Sequence, residues 1–403
     1  LERAARGEPS DGFGQGTYEY NQSHLPVRQQ TKVVGHAVRA MYLYTAMADL
    51  AAEHGDGTLK TTCETLWKDV TSTRMYVTGG FGPSASNEGF TQDYDLPNDT
   101  AYAETCASAA MIFWAARMLN LDLDGQYADL LELALYNNAL AGLSREGDTY
   151  FYDNKLESDG SHRRWDWHPC PCCTMNVARL VASVGGYVFG LGDKEVAIHL
   201  YGGAETELSL AGGRVRIAES SAYPWDGAIR VEVTPDTARS FTLSLRIPAW
   251  CRNAKLRVAG AEVPVTPERG YLRIARTWSP GDVVELDLPM PADRLWANPE
   301  VKADVGRVAV RRGPLVYCFE GQDQSAPLHR LRLPGPSALL DEFRPDLLGG
   351  ISVLCAEGLA ITDPDAALSR THPPAESPSP LMAVPYYIWC NRGPNPMHVW
   401  IRD

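Results

Sequence analysis

Three thiols within four positions, Cys170-Pro171-Cys172-Cys173, form the densest group of reactive side chains in this 403-residue sequence. With nine cysteines in all, such a cluster arises by chance in on the order of 1% of chains of this length. Adjacent cysteines rarely bridge each other, because disulfide geometry strains a single peptide unit. Metal ligation, a reactive thiolate and the packing of small buried side chains remain open. A second pattern, Glu104-Thr105-Cys106, sets a carboxylate two residues from a thiol. In a regular helix such positions face different sides, so alone the pair reads as a surface Glu beside a core Cys. Taken with Cys172 and Cys173, it completes four anionic ligands of the kind Zn²⁺ takes in a tetrahedral site. That combination requires a first or distorted helical turn at Glu104.

The segment Thr78 to Asp99, TGGFGPSASNEGFTQDYDLPND, is rich in glycine but has neither GxGxxG nor Walker spacing. Phosphate cradling is therefore not supported. The segment does carry Glu88, Asp93, Asp95 and Asp99, and long acidic loops can hold catalytic acids as well as solvated charges. Phe81, Phe90 and Tyr94, with Trp165 and Trp167 ahead of the cysteines, suit stacking on sugar rings. His24 and His36 read by default as structural histidines.

The elements that must position these groups change character along the chain. Val34, Ala37, Val38 and Met41 follow helical spacing, as do Tyr127, Leu130, Leu131 and Ala134, and Val177, Leu180, Val181 and Val184. Asp99 to Leu119 opens on a capping candidate and is apolar almost all round, which predicts a buried helix. A further helix over 59–72 makes about five. Beyond Gly192 the period becomes alternating, in Arg230 to Val233, Phe241 to Ile247, Tyr271 to Ile274 and Val283 to Leu288. Pro and Gly turns separate these runs, which predicts an antiparallel sandwich. A second strand-rich stretch begins near Val305. Pro-rich breaks fall at 334–336 and 373–380, the latter reading as a surface loop.

Composition removes several classes of function. Apolar residues at 44% and charged residues at 22% exclude global disorder. With 37 basic against 50 acidic side chains and a formal charge of −13, the chain is poorly suited to a phosphate backbone, so no nucleic-acid partner is expected. No run approaches the roughly 18 apolar residues of a membrane span, so no membrane partner is expected either. Nine cysteines in so long a chain read as free thiols in a reducing, cytoplasmic setting. The chain opens on LERAARGEPSDGFG, with neither Met nor a signal pattern, and reads as following a removed leader or starting partway through a gene.

Assembled, these motifs resemble a known family. YVTGGFGPSASNEGFTQDYDLPNDTAYAETC, then CPCCTMNVAR, with VGHAVRAMYLYTAMADLA upstream, are similar to glycoside hydrolase family 127, the β-L-arabinofuranosidase family. The resemblance runs from about residue 20 to the C-terminal PYYIWCNRGPNPMHVWIRD. It implies part of an (α/α)₆ barrel over residues 1–191, a β-sandwich domain over 192–292 and a second over 293–403. It also implies a retaining exo-glycosidase that acts on arabinofuranose-containing oligosaccharides or glycoconjugates. Glu104, Cys106, Cys172 and Cys173 would hold zinc, Cys172 would be the nucleophile and Glu88 the general acid/base. His36 and Tyr152 would contact the sugar. Other furanosides or rare acidic sugars fall within the same implication.

Two departures accompany the resemblance. Thr174-Met175 stands where the family usually shows Pro-Pro, a change expected to alter the turn. About five helices cannot close a ring of twelve, so the barrel reads as lacking its N-terminal part. The uncovered helical face would then drive aggregation, a homodimer or loss of activity. The competing class is a non-catalytic module with a structural zinc site that binds carbohydrate or a partner protein. Glu88, which a structural site does not need, favours the enzyme.

Overall fold

The computed structural model describes residues 6–7, 17–362 and 371–403. Five α-helices come first among the described residues: α1 (Ala37–His54), α2 (Gly57–Thr73), α3 (Thr105–Leu121), α4 (Gly125–Ala134) and α5 (Cys172–Ser183). Local chemistry sets several ends. The Asp56 side chain accepts from the amides of Thr58 and Leu59 to open α2, and Asp124 accepts from Gln126 to open α4, the usual work of an N-cap carboxylate. Gly55 closes α1 at φ 61°, a left-handed conformation that glycine adopts without strain.

Helix α3 is buried nearly all round, so its neighbours must pack on every side of it. Trp114 on α3 meets Tyr44 of α1 with ring centroids 5.1 Å apart and Trp67 of α2 at 5.0 Å. Trp67 in turn meets Tyr127 of α4 at 4.8 Å. These edge-on and tilted contacts tie four helices into one core.

Three expectations for this region need correcting. Val34 lies before α1, which starts at Ala37. Val181 on α5 is 53% exposed rather than buried. The buried helix starts at Thr105 and not near Asp99. Its missing turn is consumed by tertiary backbone bonds: Tyr102 and Ala103 donate to Pro83 and Gly82, and Thr105 donates to the Tyr152 carbonyl. A segment bonded to other loops cannot also form an i→i−4 ladder.

The middle region is a sandwich around one apolar core. A six-stranded sheet contains Gly213–Ser221, Ala228–Pro235 and Asp282–Asp287 at its centre. A four-stranded sheet contains Tyr271–Trp278, Arg239–Arg246, Glu195–Ile198 and Phe189–Leu191. All pairings are antiparallel except Glu195–Ile198 with Arg239–Arg246, which is parallel. Arg246 is fully buried at the joint with the helices. Its Nη1 lies 2.6 Å from Asp129 Oδ1 on α4, and Nη2 contacts Glu132. A buried guanidinium with two carboxylates is paired well enough to be tolerated there.

The remaining strands form one ten-stranded set. Its edge is Glu157–Asp159, from the loop between α4 and α5, paired with Pro396–His398. The helical region thus contributes a strand to the C-terminal sheet. The reading of 373–380 as a loop fails from Glu376 onward, where Glu376–Pro385 pairs with Ile351–Ile361. Pro378 and Pro380 fit because only Val384 and Pro385 of this strand pair with Leu315–Glu320. Its proline stretch is an edge, where a missing N–H breaks no ladder.

Candidate active site

Glu104 is the N-cap of α3, with φ −55° and ψ 135°. Because it lies just outside the helix, the geometric objection to a Glu-x-Cys ligand pair disappears: Cys106, in the first turn, and Glu104, in extended backbone, can face one point. Cys172 and Cys173 open α5. All four side chains therefore sit at the N-terminal ends of two helices, where exposed N–H groups and the helix dipole favour negative charge. Thr174 and Met175 fall inside the first turns of α5, so no separate turn exists for them to alter.

The four ligand atoms lie within 4.8 Å of one another. Cys106 Sγ is 3.2 Å from Cys173 Sγ, and Cys172 Sγ is 3.9 Å from Cys173 Sγ. Glu104 Oε1 is 3.7 Å from Cys172 Sγ and 3.5 Å from Cys173 Sγ. Tetrahedral ligands at ~2.3 Å from a zinc ion stand roughly 3.7 Å apart. The other carboxylate oxygen, Oε2, is buried without a hydrogen-bond partner, as a metal ligand would leave it. Three thiols, one carboxylate and this spacing fit a soft divalent cation such as zinc. Cys170 is exposed and stands outside the cluster. All nine cysteines are free thiols.

The thiols are not equivalent. Cys106 and Cys173 are buried, whereas Cys172 is partly open. Hydrogen bonds from Cys106 and Cys173 lower the Cys172 pKa. Burial raises Cys173, whereas Cys106 is raised mainly by its own hydrogen bond with Cys172. Burial, then the charge of Cys172, pushes the Glu104 carboxyl up to about 8. Without a cation this cluster cannot carry its full charge.

A cleft of about 620 Å³ opens above the cluster, lined among others by His36, Arg39, Glu88, Tyr102, Tyr152, Trp165 and Cys172. Tyr152 Oη is 3.4 Å from Cys172 Sγ. His36 Nε2 is 2.9 Å from Glu88 Oε2, and Tyr102 Oη donates to Glu88 Oε1 at 3.4 Å. A bridge between His36 and Gly89 makes the first contact possible. There the strands approach so closely that a Cβ on Gly89 would lie 1.9 Å from the Gly35 carbonyl oxygen. Glu88 itself has φ 49°, an uncommon conformation that aims its side chain into the cleft. Burial, opposed by Glu88, lowers the His36 pKa.

Glu104, Cys106, Cys172, Glu88, His36 and Tyr152 thus line one cleft, with Cys173 buried behind it. Other sequence candidates do not. Asp93 pairs with Lys32 and Arg74, and Asp99 lines a different groove. Phe81 and Phe90 are buried and stacked on each other at 5.9 Å, so they serve the core. Trp165 lines the cleft, while Trp167 is exposed outside it. Sequence reasoning missed Arg39, Tyr102, His168 and Asn176, all of which line the cleft. Asn176 lies within the CPCCTMNVAR motif, four residues past Cys172, which is the signal that could have found it.

Residues 5–186 match the "Beta-L-arabinofuranosidase, GH127 catalytic domain" family description. Residues 195–290 match its middle domain and 292–402 the family 127 C-terminal domain. The chain belongs to glycoside hydrolase family 127. Within the family it is 40% identical to a non-reducing end β-L-arabinofuranosidase of Bifidobacterium longum, over 97% of this chain and 62% of that protein. It superposes on a GH127 β-L-arabinofuranosidase from Geobacillus stearothermophilus T6 with a TM-score of 0.95 and 45% identity, covering 100% of this chain and 66% of that one. A structure described as a glycoside hydrolase matches at a TM-score of 0.90 and 31% identity, over 96% of this chain and 69% of its own. The chain thus spans just under two thirds of the length of the first two relatives.

Proposed function

We propose that this chain carries the catalytic centre of a retaining exo-glycosidase acting on β-L-arabinofuranosides, with Cys172 as nucleophile, Glu88 as general acid/base and zinc held by Glu104, Cys106, Cys172 and Cys173. The observation that carries the assignment of roles is that Cys172, at the cleft wall, is the one thiol of the three that is not buried. The names of the two relatives supply the substrate class.

Zinc, when bound, would hold the thiols as thiolates at neutral pH and leave the four ligands an excess of negative charge facing the sugar. Cys172 Sγ attacks the anomeric carbon, the glycosidic C–O bond breaks, and Glu88 gives its proton to the departing oxygen. Glu88 then takes a proton from water, which displaces the sulfur and restores the original anomeric configuration. His36 and Tyr102 hold the two Glu88 oxygens in place. Tyr152 Oη, beside Cys172 Sγ, can donate to the sulfur when the sugar departs. A structural zinc site would have no use for an acid held by two donors across the cleft, which favours the enzyme over the binding module.

The domain division at 191/192 and 292/293 and the partial (α/α)₆ barrel belong to the same proposal. Support for the barrel comes from α5, whose Met175 and Val181 are 54% and 53% exposed, an apolar face suited to further helices. Release of a chromophore from an aryl β-L-arabinofuranoside, with zinc content measured on the same sample, tests the reading. It fails if the zinc-loaded protein binds the sugar and does not hydrolyse it.

A further inference from the structure

We propose that Asn176 is the positioning residue of the thiol centre, fixing Cys106 as the sulfur that stays in place while Cys172 reacts. Its Nδ2 donates to Cys106 Sγ at 3.1 Å. The amide is oriented from its other end: Tyr42 Oη donates to Asn176 Oδ1 at 2.7 Å, and Arg179 Nη1 donates to Tyr42 Oη at 3.3 Å. A guanidinium can only donate, so the Tyr42 oxygen accepts there and turns its own proton to the amide oxygen. That leaves the Asn176 NH₂, and not its oxygen, facing sulfur. Arg179 is itself held over the Phe113 ring, 4.5 Å from its centroid.

The relay joins three helices at one point. Tyr42 comes from α1, Cys106 and Phe113 from α3, and Asn176 and Arg179 from α5. Asn176 and Arg179 follow Cys172 by four and seven residues, so they share its side of α5. A donor aimed at a thiolate draws charge from it and weakens it as a nucleophile. Cys106 is thereby made unlike Cys172, which the cleft leaves open to a substrate. Outer partners of this kind commonly change metal affinity or activity by ~10–100-fold. The inference rests on reading the four side chains as a metal centre.

The test compares the wild-type chain with Asn176→Asp and Tyr42→Phe, by zinc affinity in competition with a chelator and by the sulfur-to-metal charge-transfer band of the Co²⁺-loaded proteins. Asn176→Asp keeps the shape but sets an oxygen against the sulfur. It should bind zinc ~10–100-fold more weakly and shift the band, with Tyr42→Phe moving both in the same direction by less. Should Asn176→Asp not fold, Tyr42→Phe carries the test, because it removes one hydroxyl only. Unchanged affinity and band in both variants, beside a wild-type chain that binds metal, overturn the positioning role alone. A wild-type chain that takes up neither metal overturns the metal reading and this inference with it.

Discussion

His36 Nε2 stands 2.9 Å from Glu88 Oε2 while Nδ1 of the same ring accepts from the Val38 amide at 3.2 Å. The helix cap fixes which nitrogen carries the proton, since a ring nitrogen that accepts cannot also donate. The protonated Nε2 is thereby presented to Glu88. One side chain opens α1 and orients the proposed acid.

These two tasks separate by substitution. His36→Ala should lose the cap, costing about 1 kcal/mol of stability, and should also lower turnover. His36→Asn restores a capping oxygen but is too short to reach Glu88. Thermal melts should show Asn recovering most of the stability, with kcat/KM remaining as low as in the Ala variant. Full recovery of activity with Asn would show that the His36–Glu88 contact is not used.

Glu88→Gln removes the proton donor and leaves the shape. With a poor leaving group kcat should fall ~10²–10⁴-fold. An activated aryl glycoside needs little protonation, so formation of the glycosyl-enzyme should be spared and its hydrolysis slowed. Pre-steady-state release of the aryl group should therefore show a burst that wild type lacks. Equal losses on both substrates would reassign the acid.

His199 gives the fold a pH dependence. It lies at the joint of helices and sandwich, its Nδ1 2.6 Å from Tyr271 Oη. Burial, then Arg246, lowers its pKa to about 4 from an unfolded value of ~6.5. Between those values the unfolded chain binds the extra proton, so this stability is complete above ~6.5 and is lost as pH falls towards 4. The loss should approach ~2–3 kcal/mol. Urea unfolding at pH 7 and pH 4.5 checks it, and His199→Gln should shrink the difference. An unchanged difference would place the acid sensitivity elsewhere.

Helix α5 turns Met175, Ala178 and Val181 outward, an apolar stripe at helical spacing. The 403-residue chain is expected to self-associate through it. Light scattering should report a mass above that of the monomer, and Met175→Lys with Val181→Glu should lower it. A stable monomer before substitution would contradict the exposed-face argument.

The Glu104, Cys106, Cys172 and Cys173 cluster was legible because Cys172 and Cys173 are adjacent and Glu104 and Cys106 are two apart, so each half is a local pattern. The sequence could not show that Glu104 is a cap. That depends on Tyr102, Ala103 and Thr105 bonding to loops distant in sequence, and apolarity alone extended the helix back to Asp99. Phe81 and Phe90 were misread for a similar reason, since the same ring can stack on a sugar or on another ring. Burial decides between them, and burial is a tertiary property. The alternating strands were legible because a two-residue period and Pro–Gly turns are local. The strand starting at Glu376 was not, because an edge position excuses prolines only once the neighbouring strands are known.

The most direct test of the central claim is peptide mass spectrometry of the zinc-loaded Glu88→Gln protein, acid-quenched during turnover of an activated β-L-arabinofuranoside. One pentosyl group should be found on Cys172, absent without substrate and in Cys172→Ser, with the sugar released by the wild type in its starting anomeric form. A pentosyl group on Glu88 or another residue, or turnover with inverted product and Cys172 unmodified, would contradict it.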